Sequence, residues 1–212
     1  MKIQKYLLNY AIIINGVIDL FKYISWIFII VGACFLIFGG YQLYDSNKNE
    51  NKRLNEAKSI ISEDIVKADE KIDYEEIYNK ISQGDTVGTL YIPRLDREIP
   101  IVEGTDEEQL AQGVGHYKDT GYPGENSQIL LSGHRDTVFR KFGELENGDE
   151  FHIKMEHGTF IYEISDNEIV SADNTTVIDP SREDEYLTVS TCYPFSYVGS
   201  APDRYVLYAY PK

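Results

Sequence analysis

The rhythm of apolar and polar positions changes twice along the chain. From Ile24 to Tyr41 the run ISWIFIIVGACFLIFGGY has no charged residue and continues through QLY; about 20 consecutive apolar residues suffice to cross the hydrocarbon layer of a bilayer. This predicts a transmembrane helix. The preceding LLNYAIIINGVIDLF is apolar too, but Asn9, Asn15 and Asp19 interrupt it, which favours an interfacial amphipathic helix or a cytoplasmic lead-in over a second span. The apolar core is too long for a cleaved signal peptide and no small-x-small site follows it, so the segment reads as an uncleaved anchor.

From Asp45 to about Gln83 the chain is rich in Asn, Lys, Glu and Asp. Leu54, Ala57, Ile61 and Ile65 keep helical spacing there, followed by Ile72, Ile77 and Ile81. The pattern predicts a charged, partly helical arm, with a lid over a functional site as the alternative. At Gly84 short strand candidates begin, separated by Gly, Pro, Asp and Asn clusters: 86–93, 98–104, 127–133, 149–155, 159–165, 168–172, 186–192 and 204–210. Helical turns fit at 105–113 and 137–145, the first with Thr105 and Glu108 spaced as a capping box. Many short strands with few helices predict a mainly β domain closed, or nearly closed, into a barrel, because closure removes exposed edges. The expected organisation is 1–44 lead and single anchor, 45–84 arm, and 85–212 β-barrel domain.

Charge narrows the partners. Of 35 acidic and 20 basic residues, one and three lie in residues 1–44, which leaves 34 against 17 and a formal charge of −17 on the rest. Nucleic acid and anionic lipid are poor partners for such a surface. Lys2, Lys5 and Lys22 precede the span with only Asp19 against them, so the expected orientation is N-terminus in the cytoplasm and barrel outside. Lys48, Lys52 and Arg53 follow it, mixed with Asp45 and Glu50.

There are two cysteines, Cys34 in the apolar run and Cys192 in YLTVSTC, too separate in setting to be joined. Cys192 ends a strand on its more polar face, the one shared with Thr188 and Ser190. The loop YPFSYVGSAPD follows, and then Arg204 opens the last strand. If the two strands pair antiparallel, Cys192 and Arg204 meet across the ladder. A guanidinium beside a thiol favours the nucleophilic thiolate and can hold a carbonyl oxygen that becomes negative; a surface arginine beside an inert buried cysteine is the plainer reading of these two residues. A thiol nucleophile also needs a proton carrier. His134 leaves a buried strand in ILLSGHRDT, at a strand end where such sites are built. His116, in GVGHYKD, could serve instead or make loop hydrogen bonds, whereas His152 and His157 read as surface residues. The histidines lack paired metal-ligand spacing, so no metal and no cofactor are expected.

These segments resemble the sortases, membrane-anchored cysteine transpeptidases of Gram-positive bacteria, and among them class D most closely. LSGHRDTVF looks like the family's histidine motif, LTVSTCYPF like its cysteine motif and APDRYVLYA like its arginine-bearing final strand, in that order; GVGHYKDTGYPGE resembles a segment upstream of the histidine, which counts against His116. The likeness runs from about Thr86 to Tyr210. Val189 stands where leucine is commoner in the family. The resemblance implies a sortase-type eight-stranded closed β-barrel with short helices. It implies Cys192 as nucleophile, His134 as general acid/base and Arg204 as stabiliser of substrate and oxyanion. The implied partners are surface proteins with a C-terminal LPXTG-like or LPNTA-like sorting signal, cut after threonine, and an amine of a peptidoglycan precursor or cross-bridge, from a meso-diaminopimelate or lysine side chain. A specificity groove is expected under the segment from about Ser165 to Tyr186. Thr191, of opposite parity to Cys192, reads as packed inward or as a substrate contact. A hydrolytic cysteine peptidase and a tethered, non-catalytic binding barrel are the alternatives.

Overall fold

A computed structural model describes residues 2–63, 74–179, 181–197 and 199–212, with side chains for 22–61 and for the described residues from 74 onward. The expected arm residues Ile65 and Ile72 lie outside the described residues. The chain divides after Asn47 into two compact units. Helix α1, Lys2–Glu63, begins in the first unit and ends in the second. In the first unit Trp26, Phe28, Phe35, Leu36 and Ile37 stand more than half exposed, an arrangement that costs little in lipid and much in water. Among the described residues this is the one helix long and apolar enough to be a candidate membrane span.

The second unit is an eight-stranded closed barrel. Its strands are β1 (Thr86–Ile92), β2 (Arg97–Glu103), β3 (Val114–His116), β4 (Gln128–Gly133), β5 (Glu150–Met155), β6 (Gly158–Ser171), β7 (Tyr186–Tyr193) and β8 (Asp203–Pro211). They are ordered β1-β2-β3-β4-β7-β8-β6-β5 around the ring. Binary patterning explains β5, where Phe151, Ile153 and Met155 point into the core and Glu150, His152 and Lys154 point out. The parallel pair β4–β7 is buried on both faces over most of its length, as expected where a connection covers the outside of a sheet.

Two expectations need correction, and one strand was not foreseen. The separate strands expected at 159–165 and 168–172 are one strand, β6, whose pairing with β8 slips between Ile164 and Asp166 and so absorbs the polar SDN stretch. The three-residue β3 lies in a Gly-rich stretch that carries no strand pattern. Helix α3, Glu107–Leu110, starts from Asp106 without a side-chain cap, so the Thr105–Glu108 capping box does not form.

The end of α1 docks on the side of the ring facing away from β7. Arg97 on β2 pairs with Glu50 at 2.9 Å, and Arg53 reaches Thr86 on β1 at 3.3 Å and Gln112. The short helix α2, Tyr74–Tyr78, covers the far end of the barrel. Tyr78 stacks on Tyr122 with centroids 4.4 Å apart, and its hydroxyl lies 2.7 Å from both the Pro123 carbonyl and His157 Nε2. His157 is therefore half-covered rather than a surface residue, and burial lowers its pKa from the ordinary value. His152 is also partly covered, 2.7 Å from Glu150 and edge-on to Tyr91.

Glu98 on β2 joins three elements. Its carboxylate accepts from Lys58 of α1 and Lys154 of β5, both at 2.9 Å, and from the Thr89 hydroxyl at 3.1 Å. Burial pushes this carboxyl up, but the two lysines and Thr89 outweigh it and bring it from 4.5 down to about 2. A carboxyl depressed in the folded state adds stability above its unfolded value and loses it as pH falls through the folded one. Glu98→Gln is therefore expected to flatten the decline in melting temperature between about pH 4.5 and pH 2, as read by thermal melts across that range. An unchanged acid limb would show that Glu98 carries no linked proton there.

Candidate active site

Strand β7 holds the site together because it pairs differently on its two sides. It runs parallel to β4 with Gly133 opposite Thr191, and antiparallel to β8 with Cys192 opposite Arg204. Directly paired residues share a face of the sheet. The register thus places Cys192 and Arg204 side by side on the outer face, with α-carbons about 4.5–5.5 Å apart as in any antiparallel pair. His134 follows Gly133 at the end of the neighbouring strand, one position along from the Thr191 pair. All three residues are partly exposed. They come from separate stretches of the chain and meet at one end of the barrel.

Local packing sets that end. A Cβ added at Gly133 would fall 2.6 Å from both Phe139 and Val138, so only glycine lets the turn after His134 fold back onto the barrel mouth. Phe139 and Phe142 are fully buried in that turn, 4.4 Å apart, and the Phe139 amide donates to the His134 carbonyl at 3.0 Å. Leu187 and Val189 point into the core. Thr191 follows them inward at 2% exposure and donates its hydroxyl to the Gly133 carbonyl at 2.7 Å. Of the two readings of Thr191 the inward one is correct.

Charge at the site is sparse. His134 Nε2 lies 3.8 Å from Glu107 of α3, whose side chain is 89% exposed. Arg204 donates to the carbonyls of Asp203 at 3.0 Å and Ala201 at 3.4 Å; among the described residues no carboxylate lies within ion-pair distance of it. Its positive charge is free to meet an anion. His116 is elsewhere: its partner Leu131 on β4 precedes Gly133 by two residues, and its ring is buried between Glu103 Oε2 at 2.6 Å and the Gly121 carbonyl at 3.0 Å. Of its two readings, the hydrogen-bonding one is correct.

The outer face behind Cys192 forms a polar strip. Ser132 and Ser190 bond at 2.8 Å, and beyond them Gln128, fully buried, grips the segment that crosses outside. Its amide donates to the Val177 carbonyl at 2.7 Å and the Thr188 hydroxyl at 2.8 Å, and its oxygen accepts the Asp179 amide at 2.6 Å. The covering loop is 172–185, since residues 165–171 still belong to β6. A glutamine opening an otherwise apolar strand was the available sign of this clamp. Arg135, beside His134, has no such sign.

The register that sets Cys192 opposite Arg204, with His134 just past the end of β4, on an eight-stranded barrel, is the arrangement that the resemblance to the sortases implied. A sortase-domain family model matches residues 90–212, and the chain belongs to the sortase family. It is 46% identical to Sortase D of Bacillus subtilis (strain 168) over 88% of this chain and 96% of that protein. Among solved structures it resembles a Clostridium perfringens Sortase D5 transpeptidase, at 27% identity and a TM-score of 0.65 over 78% of this chain and 99% of that one. It also shares the fold of the C. perfringens sortase C structure with a C-terminal cell wall sorting motif, at 24% identity and a TM-score of 0.58 over 78% and 88% of the two chains. The class D likeness read from the three motifs agrees with these relatives.

Thr191→Val keeps the shape of the side chain and removes its hydrogen bond to Gly133. The expected cost is about 1 kcal/mol of unfolding free energy, read by denaturant titration. A cost near zero would mean the hydroxyl does not help tie the end of β4 to β7.

Proposed function

We propose that this sortase is a membrane-anchored class D transpeptidase that works through a thioacyl intermediate on Cys192. The observation that carries the reading is the register that pairs Cys192 with Arg204 next to the end of the His134 strand. α1 supplies the anchor, with the lysines that precede the span in the cytoplasm and the barrel outside the cell. The substrates are surface proteins with a C-terminal LPXTG-like signal, LPNTA in particular, as the class D resemblance implies.

The chemistry follows from the three side chains. Cys192 Sγ attacks the carbonyl carbon of the threonine–X peptide bond, and the oxygen takes up negative charge. The Arg204 guanidinium stabilises that oxyanion and fixes the carbonyl. The C–N bond then breaks, His134 protonates the departing amine, and a thioester remains. An amine of the peptidoglycan cross-bridge or its precursor attacks next; His134 takes the amine's proton, the C–S bond breaks, and the Cys192 thiolate is restored. Water in place of the amine would give the free acid and a hydrolytic peptidase. The partly exposed Ser132–Ser190 end of the strip, beside loop 172–185, is where the extended signal enters.

The test uses the full-length protein in detergent micelles with peptides containing LPNTA or LPXTG sequences. Acid-quenched intact mass is expected to show an acyl adduct on wild type and none on Cys192→Ala. An added diamine is expected to discharge the adduct into an amide product. His134→Ala is expected to slow turnover roughly 10²–10⁴-fold and Arg204→Ala roughly 10²–10³-fold. An adduct on Cys192→Ala would overturn the assignment. Free acid alone, at saturating amine, would leave the hydrolytic reading.

A further inference from the structure

The loop from Pro194 to Pro202 joins the strand of Cys192 to the strand of Arg204. Its first turn is anchored by Phe195, whose ring packs 5.3 Å from Tyr205 and 5.4 Å from Tyr193. Past Phe195 the described residues are largely exposed, with Tyr197 at 48%. Burial does not hold this part of the loop, and segments with few buried contacts open at low cost.

Arginines hold it instead. Arg135 Nη2 donates to the carbonyl oxygens of Tyr197 at 2.7 Å and Gly199 at 3.0 Å, and its guanidinium carbon lies 6.0 Å from the Tyr197 ring centroid. Arg204 grips the other end through the carbonyls of Ala201 and Asp203. Arg135 Nη1 is buried without a partner among the described residues. The guanidinium is therefore tucked against protein, and burying a donor unpaired calls for a reason. A planar fork fixes orientation as well as distance, which a lysine head does not. Its acceptors are backbone carbonyls, so the grip acts on the path of the loop.

Arg135 follows His134 directly, in the turn tied down by the Phe139 amide. It thus joins the turn that carries His134 to the loop that connects Cys192 with Arg204. We propose that Arg135 is a positioning residue: it straps this loop to the His134 turn and so sets how the thioacyl intermediate divides between amine and water. The inference rests on the thioacyl reading given above. In aminolysis the nitrogen bonds to the thioester carbon, the C–S bond breaks and His134 receives the amine's proton. In hydrolysis water follows the same course and leaves a carboxylic acid. An amine on a side chain must arrive along one path between His134 and the loop, whereas water needs no such wall. Loosening the wall costs the amine more than the water.

The strap is tested on the full-length protein in detergent, comparing wild type, Arg135→Gln and Arg135→Lys with a sorting peptide and a fixed concentration of diamine. The main readout is the ratio of amide to free-acid product, which does not depend on how much enzyme is folded. For Arg135→Gln the ratio is expected to fall about tenfold, equivalent to about 1.4 kcal/mol, while the acyl adduct still forms on Cys192. Arg135→Lys is expected to fall in between. Amide hydrogen exchange is expected to speed up at residues 195–201 and to stay unchanged in β4, β7 and β8. A wild-type product ratio in Arg135→Gln overturns the inference, whether or not exchange in the loop rises. No adduct on wild type would instead sink the thioacyl reading, and the partition role with it; adduct formation thus tells the two failures apart.

Discussion

The register of β7 is the constraint on which the site depends. Side chains alternate with a period of two, so a slip of one residue would turn Cys192 into the core and Thr191 out to solvent. Leu187 and Val189 forbid that slip by filling the barrel, and the Thr191 hydroxyl adds a directed tie to the last carbonyl of β4. Core packing and the geometry of the candidate site are therefore one problem. The residues that stabilise the barrel also set the face on which thiol and guanidinium meet, so no separate scaffold is required.

Having fixed the strand ends, the barrel leaves their surroundings to loops, and the loops are held by polar grips. Gln128 holds 172–185 through two backbone groups, and Arg135 and Arg204 hold the β7–β8 loop through three carbonyls. Such grips suit the proposed transpeptidation, in which the site admits an extended peptide and then an amine. An apolar seal would hold the loops more firmly, but it would bury surface that the substrate needs. A hydrogen bond to a backbone carbonyl is modest in net free energy and strongly directional, so it places a loop without locking it.

The sequence was most legible where one face of an element is buried. The alternation of β5 and the parity of Leu187, Val189 and Thr191 against Cys192 are direct records of inside and outside, and they located both the barrel and the strand end that bears the thiol. Legibility failed where length or pairing hides the pattern. β3 has three residues, too few to show a period, and β6 keeps a single strand through a polar stretch because a register slip in its pairing with β8 absorbs it. His157 read as a surface turn because its cover, Tyr78, comes from a helix nearly 80 residues earlier. The grip of Arg135 could not be read at all. Its acceptors are main-chain carbonyls, which every residue has, so no residue type marks them.

The two ends of the barrel are built on opposite principles. Away from Cys192, Glu103 accepts from the Tyr122 hydroxyl at 2.5 Å and lies 2.6 Å from His116, whose ring stacks on Tyr122 at 4.1 Å, with Tyr78 stacked on the other side. Burial raises the Tyr122 hydroxyl far above its ordinary range, and the bond to Glu103 adds to the effect. The phenol therefore stays a donor, and the network stays satisfied. A buried polar network specifies one arrangement when every member has a partner and penalises any opening that breaks it. At the Cys192 end the polar groups face carbonyls of exposed loops instead, and among the described residues Arg204 has no carboxylate against it. Rigidity at one end lets the other hold loops weakly and a cation unpaired without endangering the fold, which is the division that chemistry at a strand end requires.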